Sequence, residues 1–158
     1  MTPIVELIRD IVEEMEVNFY HGHPLEIINL LQAGTRDEQE KGSLYPAICL
    51  FQDFPETHQA DTLSREATLN IVLITDTDPT FEAPQRYENT FKPILIPLYE
   101  EFRKQLERSF QIKGDYKYTE HLYWGKSGLY GNVNNIFNDF VDAIELENLT
   151  IKVELNCD

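Results

Sequence analysis

The feature that most limits how this chain can fold is the stretch Pro84 to Phe110, PQRYENTFKPILIPLYEEFRKQLERSF. Tyr87, Phe91, Ile94, Leu98, Phe102, Leu106 and Phe110 recur at steps of three or four, which places them on one face of a helix. Pro93 and Pro97 fall inside that stripe. Each lacks a backbone donor and crowds the preceding turn, so the helix should break or kink there. The expectation is a short helix over roughly 84–92, a bend, and a longer helix over roughly 97–110. Arg86 and Glu88 lie outside the stripe and are expected to face a neighbour.

Strand-like segments stand on both sides of it. YPAICLFQ, from Tyr45 to Gln52, is a dense apolar run of β-favouring residues, with Pro46 marking a strand start or an edge. From Arg65 to Thr75, Ala67, Leu69, Ile71 and Leu73 alternate with Glu66, Thr68 and Asn70. That is a strand with one buried face, turning apolar on both faces at Val72 to Ile74. A hairpin with a long polar loop over residues 53–64 is the simplest arrangement of these two segments. After a turn at Lys113-Gly114-Asp115, residues Tyr116 to Trp124 read as an aromatic strand, and Gly125 to Asn135 as a loop. Val141 to Leu146 and Leu149 to Leu155 read as a terminal hairpin around Glu147-Asn148.

The N-terminal end is helical. Ile4, Leu7, Ile8, Ile11 and Met15 form a stripe over roughly 3–16, with Thr2 as a cap and Pro3 in the first turn. Val17 to Tyr20 is a short extended piece, and His21-Gly22-His23-Pro24 is a turn. A second short helix, PLEIINLLQ, follows, and then a polar loop over 35–43. Strands with no helices between them favour an antiparallel sheet. The expected fold class is α+β: a mostly antiparallel sheet flanked by an N-terminal helix and one long proline-kinked helix, in a single domain over 1–158.

Charge excludes some functions. With 28 acidic and 13 basic residues the formal net charge is −15. A nucleic-acid surface needs a basic patch to neutralise phosphates, and an anionic membrane selects cations. Neither partner is expected. MTPIVELIRDIVEEM is acidic and amphipathic, unlike a signal peptide, and the chain is expected in the cytoplasm. Cys49 reads as a small buried hydrophobe; a disulfide to Cys157 is the alternative.

No motif of catalysis is present. G-x-S-x-G is absent, and Gly125-Lys126-Ser127-Gly128 does not replace it. Neither glycine-rich phosphate cradle occurs. His21 and His23, with Glu26 close by, could join a metal site; a turn with one histidine bonded to backbone is the simpler reading. Asp76, Asp78 and Pro79 lack the glycine and distant glutamate of a calcium loop and read as a strand-ending turn. Glu56, His58 and Asp61 read as a solvated loop. Tyr116, Tyr118, Tyr123, Trp124 and Tyr130 could stack bases, but Lys113, Lys117 and Lys126 are few beside so many acids. Core packing or a protein interface suits them better. No catalytic, cofactor-binding or metal residue is assigned, and no cofactor is expected.

Three stretches carry a family pattern: Phe19-Tyr20-His21-Gly22-His23 with Glu26-Ile27, then Tyr45 to Leu50, then Arg86 through Phe91 with Pro93, Leu95, Pro97, Leu98 and Tyr99. Together they resemble the small tail-terminator and head–tail joining (neck) proteins of tailed bacteriophages, in the form carried by prophages of Bacteroidetes-like gut bacteria. The resemblance implies an antiparallel sheet flanked by helices, no catalysis, and subunits closed into rings, often of six. It implies tail-tube or neck proteins as partners and a place in the bacterial cytoplasm during assembly, then in the virion. The loops over 34–44, 53–64 and 125–135 would then meet neighbours. Two other readings remain: an intracellular adaptor with an apolar groove near Tyr123 and Trp124, and a metal-dependent hydrolase built on His21 and His23.

Overall fold

A computed structural model describes residues 3–23, 26–27, 45–51, 54–60, 63–77, 80–122 and 141–154. The chain is α+β, as its patterning implies. Helix α1 (Pro3–Glu14) and strand β1 (Asn18–Gly22) come first. Strands β2 (Ala47–Phe51), β3 (Glu56–His58) and β4 (Ser64–Asp76) follow. A long helical run comes next: α2 (Ala83–Arg86), a π-helical segment (Tyr87–Leu95) and α3 (Ile96–Ser109). Strands β5 (Gln111–Lys113), β6 (Lys117–His121) and β7 (Val141–Glu154) complete the sheet.

The sheet order is β1-β2-β4-β7-β5, with β3 also on β4 and β6 also on β7. The expected antiparallel pairing of β2 with β4 is present, joining Ala47 to Ile74 and Leu50 to Ile71. Because β7 runs along the other flank of β4, β2 and β3 follow one another on a single flank. β5 and β6 do the same along β7, interrupted by Gly114 at φ +68°. From Asn18 the expected extended piece is β1, which pairs parallel with β2 and continues through His21 and Gly22, where a turn was expected. The polar connection 53–64 holds β3, a three-residue strand that the sequence pattern does not signal.

The expected terminal hairpin does not form. Residues 141–154 are one strand paired with β4 along its length. Its alternation changes phase at Glu147-Asn148 because those two residues lie opposite the single residue Asn70, between the pairs Leu69–Leu149 and Ile71–Leu146. This is a β-bulge. Asn148 sits at φ +59°, and its amide donates to Asn70 Oδ1 at 3.2 Å. Asparagine tolerates that left-handed conformation better than most residues. The extra residue keeps Ile144, Leu146, Leu149, Ile151 and Val153 all on the core face. The same phase change and turn-forming residues that suggested a hairpin therefore serve a bulge.

One face of the sheet carries the main core. Ala67, Leu69, Ile71 and Leu73 of β4, with Ile48 and Leu50 of β2, meet α1 and the long helix. α1 buries Ile4, Val5, Ile8, Ile11 and Val12, while Leu7 and Met15 pack at its margin. It stops on a reversed turn: Glu16 is at φ +59°, its amide bonds Glu13 O, and the Val17 amide bonds Val12 O. These bonds satisfy carbonyls that a helix end leaves open. The opposite face carries a second apolar cluster at one end, where Ala47, Cys49, Val72, Ile74, Val141 and Ala143 pack with Ile27 and Tyr45. Farther along that face polar residues take over: the hydroxyls of Thr68 and Thr150 lie 3.1 Å apart, and Lys113 Nζ is 2.6 Å from Glu66 Oε1.

The helical run begins where the Glu82 amide bonds Gln85 Oε1 at 2.9 Å. The irregularity expected at the prolines takes the form of the π-helical segment, which contains Pro93; Pro97 sits in the first turn of α3. A wider turn relieves the clash of a proline ring with the carbonyl four residues back, and it shifts the bonds to i→i−5, as from the Ile96 amide to Phe91 O. Helical structure thus passes through both prolines without a separating bend segment. The wider turn also changes which side chains face inward. Phe91, Leu95, Leu98, Phe102 and Leu106 are buried, whereas Tyr87 (45% exposed) and Ile94 (36%) leave the predicted stripe. The helix ends at Ser109, and Phe110 is extended but still buried. Of the helix expected after Pro24, Glu26 and Ile27 are described and are helical; the cap at Thr2, the loops 34–44 and 125–135, and Cys157 lie outside the described residues.

Candidate functional site

The His21-Gly22-His23 segment closes on Glu26. The His23 amide donates to Glu26 Oε2 at 3.4 Å, and the Ile27 amide to His23 O at 3.1 Å. Gly22, at φ +148°, takes a backbone conformation that L side chains rarely adopt. Burial lowers the His21 pKa, with the N-terminal amine acting in the same direction and Glu26 opposing both. Among the described residues, no group of three or more His, Cys, Asp or Glu side chains is placed to hold a metal ion. His58 Nε2 lies 3.0 Å from Glu56 Oε2 on the short strand β3; Asp61 lies outside the described residues. Asp76 accepts from Thr75 Oγ1 at 3.4 Å, and Asp78 and Pro79 are likewise outside. Cys49 is a buried free thiol whose pKa burial pushes up to about 12.

Arg86 is the residue whose position departs most from expectation. It does not face a neighbour. It is fully buried, and its Nη1 lies 3.1 Å from Oδ1 of Asp142, also fully buried. Asp142 pairs across the sheet with Thr75, so the ion pair pins the start of the long helix onto the end of β4 and β7. Thr77 and Thr90 add a hydroxyl contact of 3.2 Å between the π-helical segment and the chain just after β4. Glu88 is exposed and lies 3.8 Å from Lys92.

An aromatic surface forms where α3 crosses β6. Cross-strand pairing with Leu146 and Ile144 turns Tyr118 and Glu120 toward the helix face of the sheet. Tyr118 meets Tyr99 with ring centroids 4.9 Å apart, tilted by 57°. Such tilted contacts suit the ring quadrupoles. The Tyr99 and Tyr116 hydroxyls are hydrogen-bonded to each other, and Tyr118 Oη donates to Glu120 Oε1 at 2.8 Å. Burial first, then the Tyr99 contact, pushes the Tyr116 phenol up to about 12; Arg103 opposes this. Tyr118 is also raised, by burial and then by Glu120. Tyr118 (37% exposed) and Tyr87 keep open ring surface.

The sequence pointed to Tyr116 and Tyr118 but not to their helical partners, because Tyr87 read as core and Tyr99 carried no signal of its own. Tyr123, Trp124 and Tyr130 lie outside the described residues. With this geometry in place, comparison with known proteins adds no relative: no protein-family model matches the chain, and no curated protein does.

Proposed function

We propose that this protein is a non-enzymatic structural subunit that closes into a ring by head-to-tail self-association, of the phage tail-terminator or head–tail joining type. The observation that carries the reading is the sheet with two unlike ends among the described residues: the parallel strand β1 at one, the interrupted pair β5 and β6 at the other. A contact between unlike surfaces repeats around an axis and gives a ring where the rotation closes, whereas like surfaces give a two-fold dimer. The resemblance carried by residues 19–27, 45–50 and 86–99 supports the same role. So does the net charge of −15: a ring through which DNA passes works best when its wall repels phosphate. The partners proposed are other copies of the chain and the tail-tube or neck proteins.

The test adds one surface cysteine at a time in a Cys157→Ser background, where the native Cys49 is buried. His21→Cys on β1 and Thr119→Cys on β6 are made separately and mixed under mild oxidation. Unlike-end association predicts disulfide-linked dimers in the mixture and few in either variant alone. Dimers of His21→Cys with itself, formed as readily as in the mixture, would contradict the head-to-tail arrangement. The adaptor reading keeps one supporting observation, the open aromatic surface around Tyr118.

A further inference from the structure

We infer that β1 of one copy adds to the outer edge of β6 of the next as an antiparallel strand, so that a single sheet runs across the boundary between subunits. The inference rests on the head-to-tail reading and supplies that contact with its bonds. β1 is the outermost strand on its side of the sheet. Among the described residues, Phe19 to Gly22 pair with β2 alone, and Lys117 to Glu120 of β6 pair with β7 alone. An edge strand turns every second set of backbone groups away from its partner, so both strands present amides and carbonyls that a further strand can receive. Edges are ordinarily guarded by charge, proline, a bulge or extreme shortness. β1 has five residues and none of these devices: Asn18, Phe19, Tyr20, His21 and Gly22 include no acid, lysine, arginine or proline. By contrast β3 and β5 have three residues each and carry the charged Glu56 and Lys113.

The two edges fit in direction, face and charge. β1 runs parallel to β2, β2 runs against β4, β4 against β7, and β7 against β6. β1 and β6 therefore run in opposite directions, and a neighbour that continues the sheet keeps that relation. Antiparallel pairing is also the more stable kind per residue. Phe19, Ile48, Leu73, Ile144 and Glu120 lie in one row across the sheet, and His21, Leu50, Ile71, Leu146 and Tyr118 in another. Both rows belong to the helix-covered face. Continuing the sheet thus puts Phe19 and His21 on the side of Tyr118 and Glu120, with Tyr20 and Thr119 on the other side. Tyr118 is among the few large apolar side chains of the described residues with open surface, and a strand laid along β6 covers its ring. Lys117 and Glu120 meet no like charge, because β1 holds none.

The experiment measures disulfide linking rates between full-length chains in the Cys157→Ser background. His21→Cys and Tyr20→Cys are each mixed with Lys117→Cys, Tyr118→Cys, Thr119→Cys and Glu120→Cys under mild oxidation. Across a paired edge, side chains on the same face come near disulfide reach and those on opposite faces point apart. His21→Cys is expected to link to Tyr118→Cys and Glu120→Cys at least about fivefold faster than to Lys117→Cys and Thr119→Cys, with Tyr20→Cys in the opposite phase. Equal rates at all four positions, or one phase for both probes, would overturn strand addition and leave head-to-tail association standing. Closed rings with no linkage would do the same. No linkage together with no self-association in sedimentation would overturn both. Circular dichroism checks the fold of every variant. If the tyrosine variants do not fold, His21→Cys with Glu120→Cys against His21→Cys with Lys117→Cys makes the same comparison at polar positions of β6.

Discussion

Removing one member of the Arg86–Asp142 pair should damage this protein more than any other polar substitution among its described residues. Both side chains are fully buried, and the charged atoms are 3.1 Å apart. Asp142→Asn removes the carboxylate 3.1 Å from a guanidinium at a site without solvent access, and Arg86→Met removes the guanidinium from beside the carboxylate. Breaking a buried pair by removing one member costs about 3–5 kcal/mol. At about 2–4 °C per kcal/mol for a chain of this size, the midpoint should fall by roughly 6–20 °C. Arg86→Met combined with Asp142→Leu removes both charges, and the double variant should be more stable than either single one. Urea titrations of all four proteins, with unchanged m-values, give the coupling energy, expected to exceed about 2 kcal/mol. Single variants that each lose less than about 1 kcal/mol, with additive effects in the double, would refute the argument that this pair pins helix to sheet.

Other outcomes follow from the same geometry. Phe102→Ala, at a fully buried core position, should cost about 3–5 kcal/mol in chemical denaturation. Deleting Asn148 should prevent folding, because losing the bulge turns Leu149, Ile151 and Val153 to the wrong face; Asn148→Gly should cost little, and circular dichroism separates the two. His121 is buried, and desolvation holds its pKa below 6.5, with Glu147 opposing and Lys117 assisting. Its contribution is therefore intact above that value and is lost as pH falls from there through the folded-state pKa. His121→Gln should flatten the stability profile in that window. Self-association of subunits carrying −15 each should strengthen when salt rises from about 0.01 to 0.15 M, as the screening length shortens from about 30 to 8 Å; sedimentation at the two salts measures it.

What the sequence makes legible here is short-range pattern. The alternation in β4 and the stripe in α1 each lie within one element, and both are found where the pattern puts them. The α+β class follows from their order. What fails needs information from elsewhere in the chain. Glu147-Asn148 suits a turn or a bulge equally; only Asn70, 78 residues earlier, decides between them. Parallel pairing of β1 with β2 leaves no local signature, because the partner supplies half the burial. Pro93 and Pro97 announce an irregular helix, but packing against the sheet favours a wider turn over a break. Arg86 looks like a surface charge because its partner is 56 residues away. The aromatic surface was half legible, since β6 shows its tyrosines by alternation while Tyr87 and Tyr99 come from a helix whose phase the π-helical segment alters.

We propose that copies of this chain close head to tail into a ring. Sedimentation velocity and negative-stain electron microscopy test this through the mass and shape of the assembly, for the chain alone and mixed with tail-tube protein. Closed rings of a single stoichiometry are expected, formed alone at high concentration or on the end of a tube. A particle that stays monomeric at high concentration, both alone and with tail-tube protein, would contradict it.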